Sequence, residues 1–500
     1  MADVTPQIEK SGGITPAERY LAQLCEKTFL SLWSYPGVYR DQGKRSDEAD
    51  GKEICDLLVV FGEHIIIFSD KHCQLKNSGN TALDWQRWFR KAIQRSAEQA
   101  WGAERWIRQN PTRIFLDRAC KQPFPVDLPL SGKGTFHLVV VAHGVSQRIR
   151  AEYSGSGSLL IDTSLKGFPM HTKPFCVGDL DPQKTMVHIL DDSSLSILMT
   201  ARDTISDFTN YLAKREKLLR GPMCVHAPGE EELLAIYLKS MNQQEEHDFV
   251  LPINAGQTVS ACFIEEGIWE DFQRSAVRIA QIQRDKISYL WDALIETFNE
   301  HALKGNQYFV TPGGIKDSEK VLHFMARQPR WKRSALSQAL ADILRTTTPS
   351  KRRLRVFPPF EPGDPHYVFL LFPVPDLPSV SDDQYRDVRR HFLEACCKVA
   401  KLKYPDARDI VGIATESGTH KGGRSEDAMY FDARGWNAQM EEEAKGLQEA
   451  LRILQTPKQL NIHASEYPEV RPITMKLKNY RNKPCPCGSG KKYKKCCGKG

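Results

Sequence analysis

Glu53, Asp56, Ser69, Asp70 and Lys71 stand at the polar ends of the stretch GKEICDLLVVFGEHIIIFSDKHC, residues 51–73. Together these residue types suit a divalent cation. Carboxylates are hard oxygen ligands, and an ammonium group beside them can steady a water or hydroxide next to a phosphate. The elements that must position them are two strands, 54–61 and 64–68, joined at Gly62-Glu63. β-Branched density on both sides of a short glycine-containing joint predicts a hairpin. Both strands are apolar almost throughout, so the hairpin is expected in the centre of a sheet covered on both faces. Strand alternation constrains the acids: Asp70 directly precedes Lys71 and therefore points to the opposite face. A bulge at Ser69-Asp70 would re-aim it. Otherwise the second acid is Glu53 or comes from elsewhere, or the site holds no metal.

An aspartate, an apolar hairpin and a charged cluster ending in lysine is an order similar to that of the PD-(D/E)xK nuclease superfamily, in particular its NERD-like and Mrr-like branches. The resemblance covers the chain up to the end of the long helix expected at 82–109. It implies a restriction-endonuclease-like mixed sheet and Mg(II)- or Mn(II)-dependent phosphodiester hydrolysis. Asp56 would ligate the metal, Asp70 or Glu53 would assist it, and Lys71 would position the water. The family places an acid two residues before the lysine, where this chain has Ser69. A non-catalytic adaptor with a degenerate nuclease fold, binding nucleic acid or protein, is therefore the alternative. Relatives also carry an extra acid on the helix before the hairpin, for which Glu26 is the candidate, and a Gln or Lys on the helix after it, where Gln94 and Gln99 stand. Family analogy alone makes defence against foreign DNA the setting.

The clearest local pattern is NKPCPCGSGKKYKKCCGKG, residues 482–500. Cys485, Cys487, Cys496 and Cys497 lie in a segment with no apolar residues to form a core. Four thiolates satisfy tetrahedral Zn(II), and the metal then replaces the missing core; a disulfide pair is the other use of such cysteines. Gly488, Gly490 and Gly498 permit the tight reversals that neighbouring ligands demand. The segment closely resembles the SEC-C motif, the zinc-binding tail of the SecA translocase ATPases. By that resemblance it binds another macromolecule, and Lys491, Lys492, Lys494 and Lys495 around Tyr493 suit nucleic acid, an acidic protein or a ribosome-associated partner. No G-x-x-x-x-G-K-[ST] loop occurs in the chain, which excludes an ATP motor of that type.

Five hundred residues exceed what one core organises, so about three domains are expected. Charged content of 26% and hydrophobic content of 41% describe an ordinary globular protein rather than a disordered one. No run of 18 apolar residues occurs, and the first residues lack a signal-peptide core, so a cytoplasmic protein with no membrane span is expected. Nine of the thirteen cysteines are dispersed, which fits buried thiols in a reducing compartment. The net charge of +7 is concentrated: ten Lys and Arg and no acid follow position 470, leaving the rest slightly acidic. A basic tail on a near-neutral body points to nucleic acid, DNA rather than RNA by the family resemblance, or serves solubility.

The expected architecture is α/β and multidomain. Residues 1–220 form the nuclease-like domain, opened by a helix whose capping box is Thr15-Pro16-Ala17-Glu18. Residues 221–357 form a mostly helical middle, with a junction at 221–257 and one long helix at 267–303. Two basic knots, Arg327, Arg330, Lys332 and Arg333, then Lys351, Arg352, Arg353 and Arg355, could track a phosphate backbone or simply lie on the surface. Residues 358–460 form a second α/β domain, whose loop ESGTHKGGRSED offers Gly422, Gly423, Arg424, Glu426 and Asp427 at strand ends. A basic linker, 461–480, leads to the zinc motif at 481–500.

Overall fold

The computed structural model describes residues 8–13, 15–42, 51–129, 132–153, 155–250, 261–305, 315–374, 380–417, 425–459, 465–467, 491–492 and 495. In chain order the first strands are β1 (Ser34–Arg40), β2 (Lys52–Phe61), β3 (His64–His72), β4 (Ile114–Phe115) and β5 (Thr135–His143). Then come β6 (Leu160–Lys166), β7 (Cys176–Asp179), β8 (Val187–Leu190), β9 (Cys224–Ala227) and β10 (Ala261–Phe263). Helices α1 (Pro16–Phe29), α2 (Thr81–Phe89), α3 (Arg95–Gln109), α4 (Ser146–Tyr153), α5 (Asp192–Ala201), α6 (Ile205–Leu219) and α7 (Glu230–Lys239) lie among them.

The expected hairpin is the middle of a six-stranded mixed sheet of order β4-β1-β2-β3-β5-β8. β2 pairs antiparallel with β3 from Leu57↔Phe68 to Phe61↔His64. The turn at Gly62-Glu63 has φ +56° at Gly62, and a Cβ there would come within 2.7 Å of the His323 ring, so glycine is required twice over. Leu57, Leu58, Val59, Val60, Ile65, Ile66, Ile67 and Phe68 are all buried, each contributing about 1.5–3 kcal/mol of transfer free energy. Parallel pairing to β5 carries β3 four residues beyond its expected end, as far as His72↔His143. Phe68 packs on Phe29 of α1 and Phe208 of α6, while α3 lies beside β2, β3 and β5. The capping box forms as expected: Thr15 accepts from the Glu18 amide and Glu18 from the Thr15 amide. The helix stops at Phe29, where Leu30 takes φ +67°.

The second sheet, β10-β9-β6-β7, was not expected from sequence, and within the described part of the expected junction, 221–250, it places β9 and α7. The acidic run of α7 is not solvated surface. Glu230 takes Arg215 and Tyr211, Glu231 takes Ser156 and Ser158, and Glu232 accepts the amides of Gly267 and Trp269. The single helix expected at 267–303 is broken into α8 (Ile268–Arg274), α9 (Ala276–Asp285) and α10 (Tyr289–Lys304), since Ser275 leaves helical geometry and caps α9 through the Arg278 amide.

Helices α11 (Ile315–Ala326) and α12 (Arg330–Thr346) precede a third sheet, β11 (Arg353–Phe357), β12 (His366–Phe372), β13 (Asp409–Glu416) and β14 (Glu426–Asp432), flanked by α13 (Asp382–Lys403) and α14 (Ala438–Leu451). The architecture is thus α/β with mixed sheets. One apolar core runs from Leu21 in α1 to Ile413 in β13, and a smaller one lies under α13. No helix among the described residues is long and apolar enough to cross a membrane.

Candidate active site

The polar ends of the hairpin open into a cavity of about 570 Å³ between the sheet and α3. Glu53, Asp56 and Ser69 line it from the strands, and Arg95, Glu98 and Gln99 from the helix. Glu53 and Asp56 are three apart, so a regular strand would send them to opposite faces. The pairing with β1 is not regular: Val38 faces Cys55, but Tyr39 faces Glu53, leaving Ile54 as an extra residue. This bulge turns Glu53 toward the cavity that Asp56 already lines.

No bulge occurs where one would have re-aimed Asp70. The register of β3 on β5 is unbroken from His64↔Thr135 to His72↔His143. Alternation therefore sets Ser69 and Lys71 on one face and Asp70 on the other. The Asp70 carboxylate is buried and receives His143 Nε2 at 2.5 Å, while His143 Nδ1 donates to Asp192 at the start of α5. Burial works against a charged imidazole there, but the bonds to Asp192 and Asp70 prevail and raise His143 to about 10. Asp70 thus forms the buried end of an Asp-His-Asp chain whose other end, Asp192, is exposed, and its contact with the cavity is through the backbone: its amide donates to Asp56 Oδ2 at 2.6 Å.

The cavity acids resist ionisation. Burial raises Glu53 to about 7, and the charges of Asp56 and Glu18 add to it. Burial likewise lifts Asp56 to about 6, against the Asp70 amide and Lys71, which favour the carboxylate. Lys71 is exposed, two residues beyond Ser69, and acts on Asp56 through its charge. Asp56, half-buried, and Glu53, at the exposed start of the strand, repel each other and form a donor set that a hard divalent cation would relieve. Gln99 reaches the cavity, whereas Gln94 bonds Glu98. The helix carries a π turn at Arg90–Gln94, immediately before the residues that face the cavity. Glu26 sits on the exposed side of α1 and does not line the cavity.

Sequence reasoning missed His143 and Asp192. His143 closes an apolar strand and Asp192 opens a helix, ordinary positions for both, and only the parallel pairing of β3 with β5 brings them to Asp70. The first basic knot is committed inside the fold: Arg330 bonds Asp203 and Asp292, Arg333 bonds Asp292, and Lys332 pairs with Asp364. Asp427 of the 416–427 loop likewise holds Arg386 and Arg389; Gly422, Gly423 and Arg424 lie outside the described residues. So do Cys485, Cys487, Cys496 and Cys497.

The SEC-C motif matches residues 481–499. Similar segments occur in protein translocase subunit SecA of Nitratiruptor sp., 46% identical over 65 residues, covering 13% of this chain and 8% of that subunit. In SecA of Thermodesulfovibrio yellowstonii the match is 72% over 29 residues, 6% of this chain and 3% of the subunit. In that of Sulfurovum sp. it is 60% over 35 residues, 7% and 4%. The chain spans less than a tenth of the length of these three translocase subunits, so the likeness is confined to short segments.

Proposed function

We propose that the chain is a metal-dependent nucleic-acid phosphodiester hydrolase with a restriction-endonuclease-like N-terminal sheet, and that its basic tail, bound to zinc, recruits substrate or partner. The observation that carries the reading is the convergence of Glu53 and Asp56 on one cavity, with Lys71 on the neighbouring strand within electrostatic reach of Asp56. The donor set fits Mg(II) or Mn(II), which take one or two carboxylates and fill their remaining positions with water and phosphate oxygens. Glu53 and Asp56 would hold the ion, which supplies Lewis-acid polarisation of the phosphate and a more acidic bound water. Lys71 holds the attacking water by its ammonium group. Arg95 pairs with a non-bridging phosphate oxygen, and Gln99 orients the substrate from the helix side. The Asp70 amide fixes Asp56, while His143 and Asp192 anchor the strand end from beneath.

In the tail, Cys485, Cys487, Cys496 and Cys497 would bind Zn(II) as a structural ion, leaving Lys491, Lys492, Lys494 and Lys495 to meet phosphates or an acidic protein. A second reading, a non-catalytic adaptor, is favoured by one observation: Ser69 brings no carboxylate and Asp70 is committed to His143. Supercoiled plasmid incubated with the protein and Mn(II), beside Lys71→Ala and Asp56→Asn, separates them. Metal-dependent nicking lost in both variants supports hydrolysis; no nicking by any of the three, with plasmid retained on a filter, supports the adaptor.

A further inference from the structure

A second group of metal-ligating side chains lies on the other sheet. β6 runs antiparallel to β9 with Asp162 directly opposite His226, and directly opposite residues share a face. Cys224 stands two residues before His226 on β9, so strand alternation brings it to that same face. The outcome is a Cys-x-His pair on one strand with an aspartate across from it, their ligand atoms all within 4.8 Å of one another. Cys224 Sγ is 3.3 Å from His226 Nε2, and His226 Nδ1 is 3.4 Å from Asp162 Oδ2. Ser164 occupies the other oxygen, donating to Asp162 Oδ1 from its amide at 3.0 Å and from its hydroxyl at 2.5 Å, which orients the carboxylate. Phe263 of β10 stacks on the His226 ring, centroids 4.6 Å apart and planes 7° from parallel. Phe263 is 74% exposed, so the stack fixes the ring without sealing the cluster from solvent.

We propose that Cys224, His226 and Asp162 form a site for a transition-metal ion of the zinc class, distinct from the hairpin cavity and from the tail. The donor chemistry selects the metal. One thiolate, one imidazole and one carboxylate suit Zn(II) or Co(II) and are poorly matched to Mg(II) or Ca(II), which favour oxygen alone. The Cys–His spacing agrees: with bonds of about 2.3 Å to sulfur and about 2.0 Å to nitrogen, a tetrahedral ion sets the two ligands about 3.5 Å apart, against the 3.3 Å found, while Asp162 comes from the Nδ1 side of the ring with an oxygen within 4.8 Å of the other ligand atoms. Three protein ligands leave a fourth position facing solvent, where zinc retains a water or takes an external ligand. Ser164 is the partner that orients the carboxylate.

The test uses the full chain stripped with chelator and titrated with Co(II), which reports thiolate ligation through its charge-transfer absorption. In a background with Cys485, Cys487, Cys496 and Cys497 all changed to Ser, one equivalent of thiolate-bound Co(II) is expected to remain, with a single-thiolate spectrum. Adding Cys224→Ser should abolish that absorption, and adding Asp162→Asn instead should weaken binding at least tenfold, with circular dichroism unchanged. Absence of thiolate-bound Co(II) in the tail variant, or a spectrum indifferent to Cys224→Ser, overturns the proposal. Because the tail cysteines are removed first, the result is independent of whether the tail holds zinc and of whether the hairpin cavity is catalytic.

Discussion

The amide of Asp70 donates to Oδ2 of Asp56 at 2.6 Å, while the carboxylate of the same Asp70 turns through the sheet to His143. One residue thereby serves both faces of β3: its backbone fixes the acid in the cavity, and its side chain ties the strand end to α5. The second acid of the cavity is instead Glu53, delivered by an extra residue in β2.

If Lys71 holds the attacking water, Lys71→Ala should reduce Mn(II)-dependent nicking at least a hundredfold, of the order of removing one preorganised charge from a reaction centre. Apparent Mn(II) affinity, followed by thermal shift, should change little, because the ligands are Glu53 and Asp56. Unchanged nicking rates would remove Lys71 from the reaction.

Asp56→Asn should stabilise the fold while ending activity. The folded state raises this acid from 3.8 to about 6, so it favours the protonated form. The resulting stability is present below the unfolded value near 3.8 and is lost as pH rises through about 6. An amide, which still accepts from the Asp70 N–H, should gain about 1–2 kcal/mol at pH 7.5 and almost nothing at pH 4. Urea denaturation at the two pH values measures the difference. Mn(II) at pH 7.5 should raise the melting temperature of the parent protein and not of the variant.

His143 carries the opposite stake. Its folded value is raised to about 10 by Asp192 and Asp70 against the cost of burial, so its contribution is complete below the unfolded value near 6.5 and lost as pH rises through 10. His143→Gln leaves a buried carboxylate short of its partner, which should cost about 3–5 kcal/mol at pH 6. The gap between the two proteins should narrow steadily toward pH 10 in equilibrium unfolding.

Removing Arg330 should harm the fold and leave nucleic-acid binding untouched. Its guanidinium joins Asp203 to Asp292 in the interior, so Arg330→Met should cost about 3–5 kcal/mol with no change in the salt dependence of DNA retention. Changing Lys491 and Lys492 together to Ala should do the reverse, lowering the slope of log affinity against log salt by about 1–2 with stability intact. Equal salt slopes for the parent and the double variant would detach the tail from nucleic acid.

The sequence by itself determined the elements whose causes are local. The hairpin follows from β-branched runs around Gly62, and the first helix from the Thr15-Glu18 capping box. The four tail cysteines, too, are legible because their spacing belongs to the SEC-C pattern found at 481–499. Ser275 escaped notice because an apolar stripe continues across it, although one residue out of helical geometry divides the helix. The tertiary structure decided which polar groups meet. Period-two alternation told which face Asp70 must take, but not that His143 and Asp192 wait there, since strand pairing joins residues 73 and 122 positions away. The extra residue in β2 is set by pairing with β1, and no property of Ile54 announces it. The basic knot reads as surface in one dimension, yet Asp203 and Asp292 neutralise it in three. Charge and periodicity are written along the chain, whereas partners are assigned by register, and register exists only once strands have paired.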